Sequence, residues 1–156
     1  MRRSLAIAIL MLLLIPATAR ANATDVAPHG GHTPLAANTI AATAVRDAMR
    51  LQGTPYVWSG STPAGFDCSG LTSYVYGKLG ITLAHSTYAQ WTSGPRVPRS
   101  DLRPGDLVFF YGLGHVGIYI GGDQFVHAPH TGDVVKISSL DEAWYASTFV
   151  GARRIL

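Results

Sequence analysis

The chain has 156 residues and a single cysteine. A chain of this length fits one domain that buries its own core, and one cysteine excludes an internal disulfide. The formal net charge of +3 comes from Arg2, Arg3 and Arg20, since nine basic and nine acidic residues remain without them. Because nucleic-acid binding depends on clustered lysine and arginine, we expect no nucleic-acid partner.

Residues 1–23 are predicted to be a secretory signal peptide. Two arginines precede the apolar run Leu5–Ile15, which is shorter than the ~20 residues that cross a bilayer. Ala21–Ala23, or Ala19–Ala21, supplies the small-residue cleavage pattern. The alternative is a buried apolar helix. No cysteine that could carry a lipid follows the run, so we expect an exported protein without a membrane anchor after cleavage.

Residues 24–37 are predicted to be a flexible leader, because they are rich in Gly, Pro, Thr and His and show no periodicity. His29 and His32 lie in this segment. A zinc site needs three or four ligands. Two histidines in a glycine-rich stretch therefore do not predict one, and we expect no metal.

Two helices and a short third one are predicted after the leader. Apolar residues recur at helical spacing over Asn38–Gln52. Asp67 is a residue type preferred at an N-cap, which places Cys68 at the first position of a second helix that ends at Gly80. His85–Trp91 is expected to form the short helix.

From residue 107 onward the pattern changes from helical to alternating. Five strands are predicted, at Leu107–Tyr111, His115–Ile120, Gln124–Ala128, Val134–Ile137 and Thr148–Ile155. The helices come first, and the strands that follow are joined by hairpin-length turns. We therefore expect one α+β domain over residues 38–156, with helices packed on an antiparallel sheet.

Cys68 is the candidate nucleophile. A free thiol has a pKa near 8.5 and is mostly neutral at pH 7, as is usual for this group, and the thiolate is the reactive form. The unpaired N–H groups at a helix N-terminus favour the thiolate, whereas the charge of Asp67 opposes it. A nearby imidazolium would be the stronger partner.

His115 and His127 are the candidate imidazoles. In the strand that begins at His115, the apolar residues from Val116 onward share one face, and His115 and Gly117 share the other. Gly117 has no side chain, so we expect the Cys68 helix to pack on that second face and bring the thiol to His115. A short hairpin then sets His127 beside His115, where it can orient the ring.

The same residues also allow a structural interpretation. Cys68 alone suits a small buried hydrophobe, and each histidine alone suits a hydrogen-bonded strand residue. The combination favours chemistry, because a cysteine starts a helix, a histidine starts a strand and a second histidine follows one hairpin later.

Five segments carry a resemblance to a known family. They are GTPYVWSGSTPAGFDCSGLTSYVY, HSTYAQ, LRPGDLVFF, GHVGIYIGGDQFVHAP and the weaker VGARRI. In this order, over about residues 38–156, they resemble the NlpC-type cell-wall peptidases, a branch of the papain-like fold. The specific part is FDCSG followed by GHVGIYIG and HAP, whereas GDLVFF alone is weak.

The resemblance implies a cysteine endopeptidase that hydrolyses peptidoglycan stem peptides, typically between D-γ-glutamate and a diamino acid. It implies Cys68 as the nucleophile, His115 as the base and His127 as the third polar residue. A secreted monomer in the cell wall or periplasm is expected, with the stem peptide as its partner and without a cofactor.

The resemblance also implies substrate-binding residues around the thiol. Tyr56, Asp67 and Ser69 match a cluster that helps to hold the substrate amine in relatives acting on free stem peptides. The N–H of Cys68 is the first expected oxyanion donor and the hydroxyl of Tyr56 the second.

Two alternatives stay open at this point. One is a non-catalytic wall-binding or regulatory module of the same fold, and the other is a Cys–His amidase or acyltransferase, since fold and residues do not name the acyl group. Two departures from the family pattern concern the cleft. Ser59 stands where glycine is common, and Leu83–Ser86 replaces the usual Leu-Pro opening, which would let His85 line the cleft.

Overall fold

The structure is a computed structural model that describes residues 34–156. The predicted signal peptide (residues 1–23) and most of the predicted leader, with His29 and His32, lie outside the described residues. Helix α1 spans Pro34–Arg50. It therefore begins four residues before the predicted start at Asn38, within the last part of the segment predicted as leader.

Three further α-helices lie in the described part of the chain: α2 (Cys68–Gly77), α3 (Thr87–Gln90) and α4 (Ala143–Thr148). The sequence predicted α1, α2 and α3. It did not predict α4, whose six residues are too few to show a helical period. Over residues 34–156, no helix is both long and apolar enough to cross a membrane.

The strands are β1 (Ser61–Thr62), β2 (Gly65–Phe66), β3 (Arg96–Val97), β4 (Leu107–Phe110), β5 (His115–Gly121), β6 (Gln124–His127), β7 (Lys136–Ser139) and β8 (Phe149–Arg153). β1 and β2 form a hairpin that precedes α2, and the other six form an antiparallel sheet in the order β3-β8-β4-β5-β6-β7. The five predicted strands are present, although β7 lies two residues further along the chain than predicted. The short edge strand β3 adds a sixth.

Different elements bury the two faces of the sheet. The helical face, which packs against α1 and α2, consists of Leu107, Phe109, Val116, Ile118 and Val126. The aromatic face, which packs against Tyr145 and Phe149, consists of Val108, Phe110, Tyr119, Phe125 and Ala152. This division follows from the two-residue period of a strand.

The predicted neighbour of Gly117 is wrong. Helix α2 packs on the helical face, opposite to the face that Gly117 shares with Tyr119. A Cβ at position 117 would lie 2.6 Å from Cδ2 of Phe125 and 3.2 Å from Cβ of His127. Gly117 therefore makes room for side chains of the adjacent strand β6 and not for a helix.

Candidate active site

The start of α2 positions Cys68. Asp67 is the N-cap, as predicted, because its Oδ1 accepts a hydrogen bond of 2.7 Å from the N–H of Gly70. Cys68 is the first helical residue and is partly buried. Backbone N–H groups of Val116, Ser69 and Cys68 itself act to lower the pKa of the thiol, and Cys68 packs against the buried cluster that contains Val116. The thiol therefore lies against the first residues of β5.

Cys68 and His115 line the same cavity, whose volume is about 310 Å³. His115 is the first residue of β5, and only 7% of it is exposed. Three more of the predicted site residues line this cavity: Tyr56, Asp67 and Ser69. The thiol and His115, at the beginning of β5, thus line one cavity, although α2 packs on the opposite face of the sheet.

A buried chain of hydrogen bonds continues behind His115. Its Nε2 lies 2.9 Å from Nδ1 of His127. Nε2 of His127 lies 3.1 Å from Oγ of Ser138 and 3.4 Å from the hydroxyl of Tyr145. We assign a hydrogen to Nε2 of both rings, so that His115 donates to His127 and His127 donates to Ser138. This assignment leaves Nδ1 of His115 as an acceptor.

Sequence reasoning missed Ser138 and Tyr145. The predicted strand ended at Ile137, one residue short of Ser138. The observed β7 continues through Lys136–Ser139, so extending the alternating pattern by two residues would have included Ser138. Tyr145 lies on α4, and no local pattern in the sequence indicates its contact with a histidine 18 residues earlier.

Burial determines the charges in the site. It raises the pKa of the Cys68 thiol to about 11, and the charge of Asp67 acts in the same direction against the backbone N–H groups. Burial, assisted by His130, lowers the pKa of His115 to about 4. Burial and the neighbouring His115 lower the pKa of His127 to about 2. These shifts favour a neutral thiol and neutral imidazoles at pH 7, which is the opposite direction to the thiolate and imidazolium that the sequence predicts.

A second cavity, of about 490 Å³, lies beside His115 and is lined by Tyr111, Glu142, Trp144, Tyr145 and His130, among others. Gly114, His115 and Pro129 line both cavities, which are therefore contiguous. Tyr111 has a left-handed φ of 50°. Such strain costs about 1–3 kcal/mol and persists only where the surroundings impose it, and here it presents an exposed ring beside the site.

His85 lines the Cys68 cavity, as the sequence suggested. Ser59 lines it as well and adopts a φ of 59°, a conformation that glycine adopts without strain. Within residues 34–156, no group of three or more His, Cys, Asp or Glu side chains is arranged to hold a metal ion.

The fold is α+β, and a cysteine at a helix start lines the same cavity as a histidine that is hydrogen-bonded to a second histidine on the neighbouring strand. Residues 53–154 match the model of the NlpC/P60 family. The chain belongs to the NlpC/P60 family. The predicted fold class and the resemblance noted in the sequence are both confirmed.

Named relatives and a solved structure illustrate the match. The chain is 43% identical over 117 residues to the gamma-DL-glutamyl hydrolase of Bacillus subtilis (strain 168), which covers 70% of this chain and 28% of that protein. It is 39% identical over 122 residues to the murein DD-endopeptidase MepH of Escherichia coli (strain K12), which covers 72% of this chain and 45% of that protein. The chain thus spans less than half the length of these two relatives.

The NlpC/p60 domain of the peptidoglycan hydrolase SagA has a crystal structure that resembles this fold. It superimposes with a TM-score of 0.67 at 40% sequence identity, over 73% of this chain and 97% of that one.

Proposed function

We propose that this protein is a secreted cysteine endopeptidase that hydrolyses peptidoglycan stem peptides at the bond between D-γ-glutamate and a diamino acid. The observation that carries the proposal is the cavity shared by Cys68 and His115, in which Nε2 of His115 is held by His127. The predicted signal peptide supports secretion, to the cell wall or periplasm.

The relatives support the hydrolysis of peptides in peptidoglycan more strongly than they support the hydrolysis of one particular bond. The Bacillus subtilis relative is named for a γ-glutamyl bond and the Escherichia coli relative for a DD-peptide bond. Family membership is compatible with either bond. The glutamyl bond is therefore the finer part of the proposal, and it requires its own test.

The first chemical step forms one bond and moves one proton. Sγ of Cys68 attacks the carbonyl carbon of the scissile amide, and Nδ1 of His115 accepts the thiol proton. Because both groups are neutral at rest, charge develops only during attack. His127 accepts the Nε2–H of His115 and so stabilises the imidazolium that forms.

The second step expels the amine. The N–H of Cys68 and the hydroxyl of Tyr56 are the proposed donors to the oxyanion of the tetrahedral intermediate, and Asp67 and Ser69 line the substrate cavity beside them. His115 returns its proton to the leaving nitrogen as the C–N bond breaks, which leaves a thioester on Cys68. A water that His115 deprotonates then hydrolyses the thioester and restores the thiol.

Defined stem peptides test the proposal. The tripeptide L-alanyl-D-γ-glutamyl-diaminopimelate is incubated with the wild type and with Cys68→Ala, and the cut bond is located by mass spectrometry. The wild type is expected to release the alanyl-glutamate dipeptide, and Cys68→Ala to lose at least about 10⁴-fold in turnover. Because Cys68 is only partly buried, the thermal unfolding of the variant should remain close to that of the wild type.

Other products separate the alternatives. Transfer of the acyl group to an added amine in preference to water would indicate an acyltransferase. Release of the peptide from its link to the glycan would indicate an amidase. Binding without any product, or equal products from the wild type and Cys68→Ala, would contradict the proposed cysteine endopeptidase.

A further inference from the structure

The imidazole of His85 contacts both oxygens of the Asp67 carboxylate. Among the described residues that line the Cys68 cavity, Asp67 is the only acid. Nε2 of His85 lies 2.8 Å from Oδ1 and 2.8 Å from Oδ2 of Asp67. Oδ1 also accepts the N–H of Gly70 at 2.7 Å and the hydroxyl of Ser69 at 3.2 Å. Both carboxylate oxygens are therefore engaged before a substrate arrives.

Contacts in the surrounding structure fix the position of His85. Gln90 is fully buried, and its Nε2 donates to the carbonyl oxygens of Ala84 at 2.7 Å and of Ser69 at 3.0 Å. These bonds tie the residue before His85 to the first turn of α2. The absence of a side chain at Gly70 leaves room for two neighbours, because a Cβ there would lie 1.9 Å from the carbonyl oxygen of Gly60 and 2.9 Å from Nε2 of His85. The His85–Asp67 contact is thus preorganised.

A carboxylate that is already hydrogen-bonded to His85 discriminates between a charged and a neutral amino terminus of the substrate. A free amino terminus that enters the cavity as an ammonium loses water and needs a carboxylate in exchange. Here the ammonium would have to compete with Nε2 of His85 for Oδ2 of Asp67, since Oδ1 already has three contacts. An acylated amino terminus is a neutral amide, and it has no such requirement.

We propose, building on the endopeptidase function above, that His85 makes the site selective for stem peptides whose amino terminus is acylated. That is the state of a stem peptide while it is attached to its glycan. His85 is a specificity-determining residue in this account, because it acts by withholding Asp67 from a substrate ammonium.

The test compares two peptides that differ only at the amino terminus. The tripeptide L-alanyl-D-γ-glutamyl-diaminopimelate is used with a free amine and with an N-acetyl group, and kcat/KM is measured for both. The wild type is expected to prefer the acetylated peptide by about tenfold, the size of one charge-assisted hydrogen bond. His85→Ala should raise kcat/KM for the free-amine peptide by about tenfold and leave the acetylated peptide within about twofold.

Two variants control for structural effects. His85→Gln keeps an N–H donor beside Asp67 and should retain most of the wild-type ratio between the two peptides. Tyr88→Ala removes an exposed ring from α3 outside the Cys68 cavity and should leave both rates unchanged. A purely structural role for His85 would lower both rates together and leave the ratio as it was, which would overturn the proposal.

Binding separates this inference from the proposed reaction. Calorimetry with Cys68→Ala measures the affinity for both peptides without turnover. Tighter binding of the acetylated peptide, lost in Cys68→Ala/His85→Ala, supports selection by His85 even if no variant hydrolyses either peptide. Equal binding, or a wild-type preference for the free amine, overturns the selection and leaves the hydrolytic proposal intact.

Discussion

The helical face and the aromatic face of the sheet are built from alternate residues of the same strands. On the helical face, Val116 and Ile118 are fully buried in the apolar cluster that the sheet forms with α1 and α2. On the aromatic face, His115 and His127 are also buried, but each has a hydrogen-bond partner. A step of one residue along β5 or β6 therefore changes a buried side chain from an apolar one to a hydrogen-bonded imidazole.

Because apolar packing and the hydrogen-bonded histidines lie on different faces, stability and activity can vary separately. Burying imidazoles costs free energy unless they are hydrogen-bonded, and the chain from His115 to Ser138 meets that requirement. The apolar burial on the helical face, against which Cys68 also packs, supplies stability. Substitutions on the two faces should accordingly affect different measurements.

Removal of the imidazole at position 115 is expected to have the largest effect. His115→Ala should lower kcat by about 10³–10⁴-fold, because the proposed base and proton carrier is lost. Its free energy of unfolding should fall by only about 1–3 kcal/mol, because Nδ1 of His127 loses its hydrogen-bond donor. Steady-state kinetics and urea unfolding give the two numbers. A variant that keeps more than a tenth of wild-type turnover would remove His115 from its proposed role.

The aromatic face should lose stability as the pH falls. Burial lowers the pKa of His115 from 6.5 to about 4 and that of His127 from 6.5 to about 2. At pH 5 the unfolded chain therefore binds protons that the folded protein does not, and the free energy of unfolding decreases. The expected loss between pH 7 and pH 5 is about 2 kcal/mol for each histidine.

Urea unfolding at both pH values measures this loss. In His127→Asn about half of the pH dependence should disappear, since one of the two depressed imidazoles is gone. A wild-type stability that is the same at pH 5 and pH 7 would show that these histidines are not held neutral by burial.

Substitutions on the helical face should have the opposite effect to a substitution of His115, and should lower stability more than activity. Ile118→Ala removes a fully buried side chain and should cost about 2–5 kcal/mol of folding free energy. Its kcat, measured where the variant is fully folded, should stay within about twofold of the wild type. A large fall in kcat would mean that the two faces are not separable.

Removal of Ser138, the last acceptor in the buried chain of hydrogen bonds behind His115, should have the smallest effect on activity. Ser138→Ala deletes the Oγ that lies 3.1 Å from His127 and should lower kcat by about three- to tenfold, with KM unchanged. Ser139→Ala, the neighbouring residue whose hydroxyl instead contacts the backbone of Asp123 and Asp141, serves as the matched control. Equal effects of the two substitutions would contradict an orienting role for Ser138.

The parts of the site that depend on local geometry could be predicted from the sequence. Asp67 caps the helix that Cys68 begins because the two residues are adjacent, and the N-cap preference of aspartate is local. His115 and His127 share a face because strand alternation assigns it. The order of helices and strands was sufficient for the fold class.

The parts that depend on distant segments could not be predicted. Alternation defines two faces of β5 but does not say which one receives α2, and the space beside Gly117 was assigned to the wrong neighbour. The contact between His85 and Asp67 joins residues 18 positions apart through a loop path that no periodicity describes. The neutral state of the thiol depends on how deeply the folded chain buries it.

The most direct measurement of the central claim is the mass of the intact protein, quenched in acid during turnover of a defined stem peptide. The account predicts an adduct equal to the acyl half of the peptide, carried by the proteolytic fragment that contains Cys68, and absent in Cys68→Ala. Hydrolysis that proceeds with an adduct on another residue, or at the same rate in Cys68→Ala, would contradict it.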